Sequence, residues 1–327
     1  MFLIQFLFLL ASAVSFPSVI STFSGHLADT HIYAIPPVYA NALASAGGDP
    51  SGYPTPDWCI GGTIESLALI GSSYGVLSIS TPGVPIAGTG QTARDLCRDI
   101  NIYLANLTSS YPESIDFLYW TQKQAIGIGF YTSYGDLLPG DPTFKDIWDK
   151  LESYKALAFL HPGVMDVHPK FISDFLPQPI IDYPQATTGA AVNIVFNGVV
   201  SNTPSIDIIL SHAGGTLPYL ADRAWGSLLI PSIENRSAVD VATATAQFKN
   251  FYYDIALSSS PTQLNGLLQN TDPSHILMGT DYPYADSKLI VGSNAEYLAF
   301  TAAHPEIAPS VLSESAQALI RKHAPSD

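Results

Sequence analysis

Short apolar runs recur along the chain: LADTHIYA (27–34), GVLSIS (75–80), IDFLYW (115–120), AIGIGFYTS (125–133), ALAFLHP (156–162), IDIILSHA (206–213), FYYDIAL (251–257) and HILMGTD (275–281). Most are apolar throughout rather than alternating, the habit of strands buried on both faces of a parallel sheet. Stretches with helical patterning fall between most of them, at 62–74, 91–109, 142–154, 187–203, 215–229, 237–250 and 261–270. Strand and helix alternating in this way through a chain of 327 residues predict an α/β fold, a (β/α)8 TIM barrel occupying 27–323. One link departs from the pattern. Only TQKQ separates Trp120 from Ala125, whereas neighbouring parallel strands need a crossover of about a dozen residues or more. The crossover helix after the third strand is missing, so the third and fourth runs cannot be adjacent parallel strands joined by that link alone.

Composition narrows the function. Hydrophobic residues make up 47% of the chain, enough for a large core. The formal charge is −15 and no basic run occurs. Such a surface repels nucleic acid and anionic lipid. An anionic substrate would need a metal or a few placed arginines to overcome that field. Residues 1–20 read as a candidate signal peptide, an apolar run leading into small-x-small patterns, and no integral membrane span is expected once it is removed. Sequons at Asn106 and Asn235 fit a secretory or extracellular protein; the alternative is a cytosolic one. Cys59 and Cys97 are too few for a disulfide framework and lack metal-ligand spacing, so two free thiols are expected.

In a barrel of this kind, reactive side chains sit at the C-terminal ends of strands. Those ends read His31 and Tyr33, His161, His212, Asp254 and Asp281. One histidine is most often a satisfied core or loop residue. Three of the chain's eight histidines at strand ends, with aspartates, suit a divalent cation instead.

At these residues the chain resembles the amidohydrolase-related decarboxylases, a group that includes aminocarboxymuconate-semialdehyde decarboxylase and the resorcylate and fungal 6-methylsalicylate decarboxylases. The resemblance is carried by DTH on the first strand, FLHP on the fifth, LSHAGGTLPYLADR on the sixth, FYYDIALS on the seventh and ILMGTDYPYAD on the eighth. AIPPVYANALASAGGDPSGYPTPDW (34–58) and LSISTPGV (77–84) are similar to the fungal type. The resemblance implies one divalent metal, Zn or Mn, held by His31, His161 and Asp281. It implies His212 as general acid/base, with Asp281 also handling a proton. It further implies a homodimer in which Arg223 reaches across to the carboxylate of a small aromatic acid. Trp58, Tyr33 and Tyr282 would stand near that substrate. The implied reaction is non-oxidative decarboxylation, in which the ring carbon bearing the carboxylate is protonated as CO₂ leaves. The sequence departs from the family at Tyr33, where a second histidine is usual, at Gly189, where arginine is usual, and at the missing helix. Metal-dependent hydrolysis and a catalytically silent barrel are the competing readings.

Overall fold

The computed structural model describes residues 27–117, 126–166 and 171–324; the candidate signal segment and the TQKQ link lie outside them. Eight strands occur where the apolar runs predict them: β1 (Leu27–Tyr33), β2 (Ser72–Ser78), β3 (Ile115–Phe117), β4 (Gly127–Tyr131), β5 (Leu157–His161), β6 (Asp207–Leu210), β7 (Tyr252–Asp254) and β8 (Ile276–Leu277). Every ladder is parallel, in the orders β1-β2-β3 and β4-β5-β6-β7-β8. The two sheets meet where β1 bridges the segment around β8, at Asp29 with Met278 and Ile32 with Tyr282. The Tyr33 N–H donates to the Tyr282 carbonyl at 2.8 Å along this seam.

The strands therefore follow one circular order, from β4 through β8 to β1 and on to β3. Among the described residues no ladder joins β3 to β4. The break coincides with the link that is too short for a crossover. Unpaired backbone groups at a buried edge cost about 1–3 kcal/mol each. Inserting a helical crossover of a dozen or more residues between Trp120 and Ala125 is therefore expected to raise soluble yield and the Tm, by about 2–4 °C per kcal/mol recovered. Equal thermal unfolding with and without the insert would show that the break costs nothing.

The seven expected helices are present, with shifted ends. The helix predicted at 62–74 is Ile60–Leu69, because Gly71 adopts φ +69° and turns the chain into β2 at Ser72. The helix predicted at 187–203 begins at Asp182 and runs to Phe196, followed by a single turn at Val199–Asn202. Three longer helices lie outside the predicted set: Pro37–Ser45, Ser287–Thr301 and Pro309–His323. The last of these closes the bottom of the barrel. Its Ala316 and Leu319 pack among Ala28, Val76, Leu157, Phe159, Ile209 and Leu277 from the strands. His323 fixes it there, bridging the Lys155 carbonyl at 2.6 Å and the Asp207 carboxylate at 2.7 Å. With the bottom filled by side chains, the opposite end is left for chemistry. Cys59 and Cys97 are both free thiols. No helix among the described residues is long and apolar enough to cross a membrane.

Candidate metal centre

Alternation along β5 aims Leu157, Phe159 and His161 to the same side of the strand, so the apolar stack below ends in an imidazole. His31 on β1 meets it from across the barrel, with ring centroids 5.3 Å apart. His212 follows β6 and completes a triangle of rings, 4.8 Å from His31 and 5.5 Å from His161. Asp281 follows β8. One ligand atom from each of His31, His161, His212 and Asp281 can be chosen so that all lie within 4.8 Å of one another.

The backbone is forced to achieve this. His212 has φ +54° and Asp281 φ +67°, a left-handed region that non-glycine residues seldom enter and that gathers at functional sites. Asp281 is held there by its N–H, which donates to the His31 carbonyl at 2.8 Å. Gly279 lets the two segments approach: a Cβ at that position would stand 2.7 Å from the His31 Cβ.

Two aspartates behind the cluster fix the aim of its side chains. Asp254, wholly buried, takes His31 Nδ1 at 3.0 Å on each carboxylate oxygen, and its Oδ1 also accepts from the N–H groups of His212 (3.2 Å) and Ala256 (3.0 Å). That bond leaves His31 Nε2 facing the cluster. Asp29 accepts from the His31 N–H (3.0 Å), the Thr280 N–H (3.2 Å) and the Thr280 hydroxyl (2.5 Å), tying β1 to the segment that carries Asp281. The sequence places Asp254 at a strand end and assigns it no role; a carboxylate closing an apolar strand is the only signal it offers. Partners of this sort orient a ligating imidazole and raise its basicity, and their loss typically costs about 10–100-fold in metal affinity. Asp254→Asn is expected to weaken divalent-cation binding by about tenfold or more on that scale, read by metal titration of the purified chain. Unchanged affinity would mean that the Asp29–Thr280 turn alone sets the His31 orientation.

The buried imidazoles and carboxylates set one another's charge. Burial pushes the His31 pKa down, but the flanking Asp254 and Asp281 carboxylates outweigh it and carry it up to about 10. Burial likewise opposes ionisation of Asp281, yet His212 and His31 hold its carboxyl well below the usual range. Burial raises Asp29 to about 7 against the hydrogen bonds from Thr280 and His31. His161 is driven well below its ordinary value by burial and by the neighbouring His31 and His212, so it is a neutral imidazole ready to ligate. Its Nδ1 and the Nδ1 of His212 are buried without a hydrogen-bond partner. Three imidazoles and one carboxylate, with orphaned ring nitrogens among them, fit a single divalent cation.

Tyr33 is the discordant member. Its hydroxyl lies 2.6 Å from His31 Nε2, nearer than the Asp281 Oδ1 at 3.3 Å. Burial, then Asp281 and Asp254, push its pKa well above the ordinary value for a phenol, so it stands there as a neutral hydroxyl. The remaining sequence candidates lie outside the cluster. Trp58 is half-buried, donates Nε1–H to the Thr63 hydroxyl at 3.0 Å and sets its ring edge on Tyr103. Tyr282 is half-buried and packs between two apolar clusters. Arg223 is exposed on the helix Leu217–Gly226 and is not one of the clustered side chains. Gly189 is exposed on the helix Asp182–Phe196, with open space where a side chain would stand.

Residues 119–322 match the amidohydrolase family model. A decarboxylase of Penicillium terrestre is 34% identical over 88% of this chain and 93% of its own length. The 6-methylsalicylic acid decarboxylase of Penicillium expansum is 31% identical over 80% of this chain and 86% of its own. Among solved structures, an amidohydrolase II superposes with a TM-score of 0.80 at 26% identity, covering 90% of this chain and 99% of that one. A dihydroxybenzoic acid decarboxylase of a Polaromonas species, solved with bound manganese and the inhibitor 2-nitroresorcinol, superposes with a TM-score of 0.66 at 18% identity, over 90% and 96%. The barrel architecture and the relatives agree: the chain belongs to the amidohydrolase family, alongside fungal 6-methylsalicylic acid decarboxylases.

Proposed function

We propose that this chain is a metal-dependent, non-oxidative decarboxylase of a small aromatic carboxylic acid of the 6-methylsalicylate class. One observation carries the reading: the buried His31–His161–His212–Asp281 cluster at the C-terminal ends of the strands, in a chain whose relatives are decarboxylases. His31, His161 and Asp281 would hold the cation. Zinc suits the imidazoles, while the manganese of the Polaromonas neighbour supports the alternative. When bound, the cation supplies Lewis-acid stabilisation of charge on the substrate oxygens. The proton would come from His212, whose Nε2 lies 3.7 Å from Asp281 Oδ2, so that carboxylate would orient the ring N–H while solvent, reaching the 10% of the His212 side chain that stays open, restores the proton after each turnover. The bond from ring carbon to carboxylate breaks, its electron pair takes the His212 proton at that carbon, and CO₂ departs. Tyr33, Trp58 and Tyr282 would exclude water. The exposed Arg223 would reach the substrate carboxylate of a second copy in a homodimer.

A catalytically silent barrel is favoured by Gly189, by the missing crossover helix and, in the site itself, by the Tyr33 hydroxyl against His31 Nε2. Metal analysis of the purified chain, with CO₂ release from 6-methylsalicylate, separates the two readings. About one cation per chain and CO₂ release are expected. A chain that binds no cation, or binds it and releases no CO₂ from any hydroxybenzoate, overturns the decarboxylase. The apolar N-terminal run and the exposed Asn106 and Asn235 support a secretory location, with the cytosol as the alternative. An endoglycosidase-sensitive shift of the native protein on a gel tests it.

A further inference from the structure

Strand ends, helix starts and loops beyond the barrel strands carry hydroxyls whose hydrogen-bonding divides into two groups. The Tyr39 hydroxyl donates to the Ser80 carbonyl at 3.0 Å, Tyr131 to the same carbonyl at 3.2 Å, and Tyr53 to the Tyr284 carbonyl at 2.8 Å. By contrast the hydroxyls of Tyr183, Tyr284 and Thr81 are shut away from solvent and make no hydrogen bond of good geometry. Buried polar atoms without partners are rare in folded proteins, and each calls for an explanation. These three come from different places in the chain: the loop after β2, the start of the helix after β5, and the loop after β8.

Their rings adjoin the metal-type cluster. Tyr183 sets its edge on His161, with centroids 6.3 Å apart, and Tyr284 sets its edge on Tyr33 at 5.7 Å. Asp281 and His212 beside them keep 13% and 10% of their side-chain surface open. Burial first, then Asp49, push both phenols above their ordinary pKa. Ser51 and Thr81 near Tyr183, and Ser80 near Tyr284, pull the other way without reversing the rise. Both hydroxyls are O–H donors with no acceptor in good geometry.

We propose that Tyr183 and Tyr284 are specificity-determining residues that donate hydrogen bonds to the carboxylate of the aromatic acid. This rests on the decarboxylase reading above. Neutral donors suit the reaction. Loss of CO₂ turns an anion into a neutral molecule, so beside Arg223 two neutral donors add less ground-state stabilisation of the carboxylate than a second cation would.

Tyr183→Phe and Tyr284→Phe each remove one hydroxyl and keep the ring, so packing is preserved. The probes are 6-methylsalicylate and 3-methylphenol, which lacks the carboxylate, measured by titration calorimetry on the metal-loaded chain, with metal content and thermal unfolding recorded for each variant. Either substitution is expected to weaken 6-methylsalicylate binding about tenfold, the size of one hydrogen bond to a charged acceptor, and to leave 3-methylphenol binding and metal content unchanged. Unchanged affinity for the acid in both variants overturns the proposal and leaves the hydroxyls as sites for water. An equal loss for acid and phenol also overturns it, because ring placement would then be the cause. If the wild-type chain releases CO₂ while both variants bind the acid normally, this inference alone fails. If the wild-type chain binds neither probe, the decarboxylase reading fails and takes the clamp with it.

Discussion

Replacing His161 by alanine is expected to abolish bound metal and turnover together. His161 ends β5 at a position that is only 6% exposed, with Phe159 below it and His31 and His212 on either side. Its pKa is held far down by burial and by those two imidazoles. A protonated histidine must give up its extra proton to ligate, and this one is already a neutral imidazole. Alanine leaves His31, His212 and Asp281 around a gap that none of them can fill without leaving the strand ends. Atomic-absorption analysis should find less than about a tenth of the wild-type cation, and CO₂ release should fall by about a thousandfold or more, the scale of losing metal-ion charge stabilisation. The substitution also opens a small cavity, so circular dichroism and Tm must show a folded chain. Full metal content in a folded His161→Ala variant would show that the cation is held by His31, His212 and Asp281 instead.

Much of the barrel is legible in the amino-acid sequence, and the physical reasons differ by element. Strands buried on both faces leave an apolar run that is visible without any partner being known, which is why seven of the eight strands fall inside the runs and β2 overlaps its run from three residues earlier. Their ends are legible too, since His31, His161, His212 and Asp281 are polar residues closing apolar segments. The helices Pro37–Ser45, Ser287–Thr301 and Pro309–His323 escape the pattern. The first is a short alanine-containing stretch behind two prolines, and the other two follow the last strand, where no further strand demands a crossover. Asp254 is visible as a strand end, but its work is to hold His31 from 223 residues away in the chain. Sequence spacing carries no trace of such a contact. The unpaired hydroxyls of Tyr183, Tyr284 and Thr81 are likewise out of reach, because an absent hydrogen bond is a property of packing alone. The lack of a ladder between β3 and β4 among the described residues is the reverse case: a count of linking residues is enough to expect it.

Tyr33→His is expected to raise affinity for zinc or manganese by about ten- to a hundredfold, the range over which even supporting residues move metal binding. In the wild-type chain the Tyr33 hydroxyl contacts His31 Nε2 at 2.6 Å, the nitrogen left over once Asp254 has taken Nδ1. A cation at that nitrogen must displace the phenol. The phenol offers little in return, because burial and the nearby Asp281 and Asp254 keep it protonated. A neutral phenol is a poor ligand, whereas a neutral imidazole at the same position adds a donor and removes the competitor. Tyr33→Phe separates these two effects, since it removes the hydroxyl without supplying a nitrogen. Calorimetric titration of both variants with each cation reads the difference. A gain in Tyr33→Phe smaller than in Tyr33→His assigns part of the defect to the missing ligand. Equal gains would make the phenol purely an obstruction. No gain in either variant would mean that His212 already completes the ligand set, with its Nε2 3.7 Å from Asp281. A loss in both would make the hydroxyl itself a working part of the site, one that holds His31 in register for the cation.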